Sequence, residues 1–268
     1  MVDGAESLLT PLQRERRDLG YLTRGPTFGV NFLTELHGPA DEDGLGAAPK
    51  VTLYAQPAEP SKGIDLAELP KWLDPNARRY EPAPGLPFVP PYQRGIVDGV
   101  LAAPHEEHGR RFDRFLAVRR SASAEYGVYC SWSHQNGDRT FWLLHEKLVI
   151  LQFGQFLRFL DELATLFDLP KSWTVWCNAR DLKQAVLVGF GEGWLTPFDF
   201  FGHTRATFCL EEQFQLEFSF SGGPEAVVGL IDDLARRFEL AFGSTTPRAY
   251  DRAGTSVGSI NYSGIRYQ

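Results

Sequence analysis

Apolar and polar positions along the chain fall into two periods. From 114 onward the pattern is dense. Arg114 to Arg119 (RFLAVR), Tyr126 to Ser133 (YGVYCSWS) and Thr140 to His145 (TFWLLH) are short β-rich runs and predict three successive strands. The Asn136-Gly137 pair between the last two predicts a hairpin, because a type I′ turn needs positive φ at both central residues. Across 146–167 the period changes to that of a helix. Val149, Phe153, Phe156, Leu160, Leu163 and Phe167 recur three and four apart, Arg158, Asp161 and Glu162 mark a polar side, and Pro170 stops the run. Trp173 to Asn178 and Gln184 to Phe190 predict two more strands, paired antiparallel across a short polar connection. Thr204 to Leu210 and Phe214 to Phe220 predict another pair, with Phe214, Leu216, Phe218 and Phe220 on one face. A second amphipathic helix is predicted over 224–242, with Val227, Ile231, Leu234, Phe238 and Phe242 on its apolar side.

The first ninety residues are less regular. Residues 6–18 predict a short helix with a basic end, 27–36 a strand, and 37–48 an acidic Gly-rich loop. Lys50 to Gln56 alternates apolar and polar residues as a strand does, and Ile64 to Leu73 predicts a helical turn broken by Pro70. Six prolines over 75–91 predict an irregular connector and the best candidate boundary. The expected organisation is therefore an N-terminal segment over 1–91, which could share the same core, a main domain over 92–244, and a Gly/Ser-rich tail over 245–268. The fold class is α+β: a mostly antiparallel sheet with both amphipathic helices on one face.

The 20 phenylalanines against one methionine fit a core of rigid rings. A net charge of −7 argues against a broad basic face for nucleic acid and favours solubility. Cys130, Cys177 and Cys209 form no CxxC pair and sit in apolar runs, so buried, inert thiols in a reducing, cytoplasmic setting are expected. No signal peptide and no membrane-spanning run is expected.

Candidate chemistry is sparse. His105, Glu106, Glu107 and His108 place two imidazoles three apart with a carboxylate between them, a set that could hold a divalent metal. It departs from H-E-x-x-H, and Pro104 and Gly109 flank it as in a loop. His134, Asp138, His145 and Glu146 surround the central hairpin with Cys130, Ser131 and Ser133 nearby, but no G-x-S-x-G elbow exists. Arg110, Arg111, Arg114, Arg119 and Arg120 are a basic segment. With Tyr126, Tyr129 and Trp132 on adjacent strands they could bind single-stranded nucleic acid. No phosphate-binding loop is present, so no bound cofactor is expected.

The segments KVTLYAQP, RFLAVRR, YGVYCSWS, RTFWLLHE, LVILQFGQFLRFLDELATLFDLP, SWTVWCNARDLKQAVLVGF and VVGLIDDLARRFELAF, taken in order, resemble a family. It is the C-terminal half of bacterial proteins that carry an N-terminal Schlafen-type AlbA domain, and the resemblance covers roughly 48–245. It implies a stand-alone accessory or sensing domain acting beside a nucleic-acid-associated partner. No functional residue is carried over, because no motif with an assigned role lies in the matched region. The expectation that follows is a non-enzymatic interaction, sensing or regulatory protein with a protein partner or a second copy. A metal-assisted hydrolase at His105 and His108, and a single-strand binder at 110–132, are the alternatives.

Overall fold

The computed structural model describes residues 48–76, 89–90, 92–103, 114–136, 139–182, 185–188, 209 and 213–242. The expectations for 6–18, 27–36, most of 37–48, most of 204–210 and the tail lie outside these residues.

The described chain is α+β, as its two hydrophobic periods predict. Strands β1 (Lys50–Pro57), β2 (Tyr92–Ile96), β3 (Gly99–Ala103), β4 (Arg114–Arg119), β5 (Ala124–Val128), β8 (Trp173–Arg180) and β10 (Phe214–Phe220) form a seven-stranded sheet in the order β10-β8-β1-β5-β4-β3-β2. Every neighbouring pair is antiparallel. Strands β6 (Ser131–Asn136), β7 (Arg139–His145) and β9 (Ala185–Val188) form a smaller sheet. The helices are α1 (Leu69–Asn76), α2 (Glu146–Leu166) and α3 (Pro224–Ala241).

Alternation fixes which face of the large sheet meets the helices. Val51, Leu53 and Ala55 of β1, Tyr126 and Val128 of β5, Val175 and Cys177 of β8, and Phe214 and Phe218 of β10 belong to one buried cluster with side chains of all three helices. Aromatic pairs join the layers: Phe153 of α2 lies 5.1 Å from Phe218, Phe238 of α3 lies 5.0 Å from Phe214, and Trp72 of α1 lies 5.6 Å from Phe159 of α2. Such offset or edge contacts add about 0.5–1.5 kcal/mol each beyond the area they bury. Pro224 opens α3, where a missing N–H costs nothing.

The second face of the large sheet carries a smaller cluster built from strand residues, Leu101, Ala103, Phe115 and Ala117. Phe115 lies across Gly127 of the neighbouring strand. A Cβ on Gly127 would sit 2.4 Å from the ring, so that position tolerates no side chain unless the ring moves.

Several sequence expectations are corrected. The run 126–133 is two strands in two sheets, broken at Tyr129 and Cys130. The hairpin closes with Asn136 opposite Arg139, so Asn136 belongs to the strand and the connection lies one residue later than the Asn136-Gly137 pair suggests. Strand β9 does not pair with β8. It runs parallel to β7, with Val186 opposite Leu143, while β8 is taken by β1 and β10. Pro70 does not break the helical turn but sits in the first turn of α1, where its fixed φ suits a helix start. The polar side of α2 is only partly wet: Asp161 and Glu162 are half-buried, while Arg158 is buried and its Nε bonds Glu162 at 3.3 Å. A hairpin over 92–103, unmarked by any strong periodicity, adds two strands to the sheet.

Candidate functional site

Of the sequence candidates, His105, Glu106, Glu107, His108, Arg110 and Arg111 lie outside the described residues. Among the described residues no group of three or more His, Cys, Asp or Glu side chains is placed to hold a metal ion. His134 and His145 lie in β6 and β7, and Trp132 lies in β6 opposite Leu143. Glu146 is buried at the start of α2, and the Ser131 hydroxyl donates to the Pro49 carbonyl at 2.9 Å. Cys130, Cys177 and Cys209 are buried and free. Burial pushes the Cys130 thiol up to about 12 and raises that of Cys177, so both stay protonated near neutral pH. Tyr126 is fully buried against Phe156, its hydroxyl bonded to Gln152, and is not exposed to stack on a base.

Of the remaining basic candidates, Arg114 lies at the far end of β4, opposite Val128, while Arg119 and Arg120 converge on one corner of the sheet. That corner is the β2–β3 turn. Ile96 pairs with Gly99, leaving Val97 and Asp98 as a two-residue connection. Asp98 takes φ 57, a conformation that Asp tolerates better than most residues. Gly99 is required on the far side, since a Cβ there would meet the Val118 carbonyl at 2.5 Å. Arg119 Nη1 donates to the Val97 carbonyl at 2.8 Å, the Arg120 backbone N–H donates to the Asp98 carbonyl at 2.9 Å, and Arg120 Nε pairs with the Asp98 carboxylate at 3.0 Å. Both arginines thus brace a turn from beneath, and Val97 at its tip is 88% exposed.

The turn sets the polarity of β2. In a two-residue hairpin the closing pair, Ile96 and Gly99, exchanges backbone hydrogen bonds, and bonding alternates from there. Tyr92, Arg94 and Ile96 therefore bond to β3, while Gln93 and Gly95 turn their N–H and C=O away from it. The Arg120 to Asp98 bond fits this phase, since it gives Gly99 to β2 and Val100 to β4. Among the described residues β2 is the end strand of the sheet. Its neighbour β3 is buried throughout, whereas Tyr92 is 51% exposed and Arg94 and Gly95 are exposed. A Cβ on Gly95 would meet nothing within 4 Å. The Gln93 amide donates to the Pro70 carbonyl at 3.3 Å and ties the strand to the start of α1. The sequence signal for this hairpin was Asp98-Gly99 following two prolines, and the prolines masked it.

Further along the face turned away from the described helices lies a polar and aromatic row. Glu125 stands opposite Tyr54, Tyr54 opposite Trp176, and Trp176 opposite Glu217. Trp176 Nε1 donates to Glu217 at 2.9 Å, and the Tyr54 and Trp176 rings are 5.5 Å apart. Burial drives the Tyr54 hydroxyl up to about 12; the Glu125 charge adds to the rise, while a bond with Ser123 and the Arg119 charge oppose it. Tyr54 is therefore a neutral hydrogen-bonding group and not a base at neutral pH. Because its folded value lies above the ordinary 10, its contribution to stability is complete below pH 10 and is lost as the pH rises towards 12. Chemical denaturation should show stability falling through that window. Tyr54→Phe should flatten the fall by roughly 3 kcal/mol, the equivalent of two pH units. Parallel pH curves for the two proteins would contradict the assignment.

Among the described residues no helix is long and apolar enough to cross a membrane. Comparison with family models, curated proteins and solved structures finds no match.

Proposed function

We propose that the protein is a non-enzymatic interaction or regulatory protein that takes an extended segment of a partner protein along the outer edge of β2. One observation carries this: among the described residues β2 ends the sheet, with the backbone of Gln93 and Gly95 directed away from β3 and nothing within 4 Å of a Cβ placed on Gly95, while the strand behind it is wholly buried. An edge of this kind is a template for a further strand, with main-chain hydrogen bonds supplying affinity and alternate side chains supplying specificity. Folded proteins usually blunt such edges with charged side chains, proline or a bulge, and of the residues in 92–96 Arg94 alone carries a charge and none is proline. A partner drawn from a nucleic-acid-associated system would agree with the family resemblance of the sequence.

Gly95→Pro tests the proposal. Proline there removes an outward N–H without touching a bond to β3, a placement that edge strands tolerate. The tagged protein and the variant should be purified side by side from the native host at low salt, with thermal melts of both. The expected result is a protein held at near one-to-one stoichiometry by the wild type and lost by the variant at unchanged melting temperature. An identical set of bound material on both, or none on either, would contradict it.

A further inference from the structure

We infer that an ordered water molecule is bound inside the protein between Gln152 and Gln155 of α2. Both side chains are 2% exposed, and the Gln152 Nε2 and Gln155 Oε1 atoms are buried without a hydrogen-bond partner among the described residues. Three residues apart on one helix, the two Cβ atoms stand about 5–6 Å from each other on neighbouring turns. The surroundings are dry. Phe156, one turn on from Gln152, stacks on Tyr126, and Phe159, one turn on from Gln155, meets Trp72 of α1. Among such rings an unpaired amide N–H or C=O is costly, and buried groups of this kind are satisfied by the chain or by internal water.

The two open atoms are opposite in kind, and that selects the ligand. Gln152 has an N–H to give, since its Oε1 already accepts from the Tyr126 hydroxyl. Gln155 has an oxygen to receive. An anion would meet the Gln155 oxygen and a cation the Gln152 N–H, so half of the site repels either ion. Water accepts from the one and donates to the other. Turning the Gln152 amide about leaves an acceptor open in place of the donor, and water satisfies that arrangement too, with both of its protons. The bound water extends the bond from Tyr126 of β5 to Gln152 into a chain that reaches Gln155, and so ties the large sheet to α2.

Two measurements test the site. A high-resolution crystal structure of the wild type should show a density peak about 2.7–3.2 Å from both atoms. In solution, the Gln152 side-chain amide protons should show cross-relaxation with a long-lived water in isotope-labelled protein. Gln155→Met, which keeps the side-chain volume and removes the acceptor, should abolish that signal. A direct bond between the two glutamines, a group of the chain seated on either atom, or apolar packing with no density between them would overturn the inference. A water signal unchanged in Gln155→Met would do the same. If that variant fails to fold, the wild-type density alone decides between the two.

Discussion

A chain shortened to begin at Tyr92 is expected to lose cooperative folding. The deletion removes β1, which lies between β5 and β8 near the centre of the large sheet. It aligns with β8 from Lys50 to Pro57 and with β5 from Val51 to Ala55. Val51, Leu53 and Ala55 place their side chains in the core beneath the helices. Without β1 two interior strands become edges, the sheet separates into β10-β8 and β5-β4-β3-β2, and the core opens along its length. Exposed interior strands of this type pair with other chains, so aggregation should accompany the loss. Circular dichroism and a thermal scan of the shortened chain provide the check. A sharp melt with native near-ultraviolet signal would show that 92–242 folds without β1.

Phe153→Ala should be the most damaging single truncation of the helix–sheet interface. Phe153 is fully buried on α2, and its ring meets Phe218 of β10. Removing a buried ring costs its transfer free energy and leaves a cavity, about 3–5 kcal/mol together. Against a typical total of about 5–15 kcal/mol, that is enough to leave a measurable unfolded fraction. Urea denaturation should show the midpoint falling with the slope unchanged. A loss under about 1 kcal/mol would mean that α2 and β10 are not packed as described.

The parts of this fold legible in the sequence are those whose signal is local and strong. The α2 and α3 stripes predict both helices because a 3.6-residue period needs no knowledge of partners, and the alternation of Phe214 to Phe220 predicts β10 in the same way. Pairing was less legible. The short link between β8 and β9 suggests a hairpin, yet Ala185 to Val188 joins β7 in parallel, because β8 already has β1 and β10 on its two sides. That competition depends on β1, more than a hundred residues earlier in the chain. The buried Arg158 was legible only as a charge. Helical phase places Glu162 beside Arg158, four residues on, but does not show that the arginine is buried. The candidate site was the least legible. Tyr92 to Ile96 carries no clean alternation, and its importance comes from being last in the sheet among the described residues, a property of topology alone.

Residue-resolved amide hydrogen exchange across β2 tests the central claim most directly. In the free protein the amides of Arg94 and Ile96, bonded to β3, should exchange at least about a hundredfold more slowly than those of Gln93 and Gly95. When the partner that co-purifies with the wild type is added, Gln93 and Gly95 should become as protected as their neighbours. Equal, strong protection of all four amides in the free chain would show that the edge is already occupied and would contradict the account.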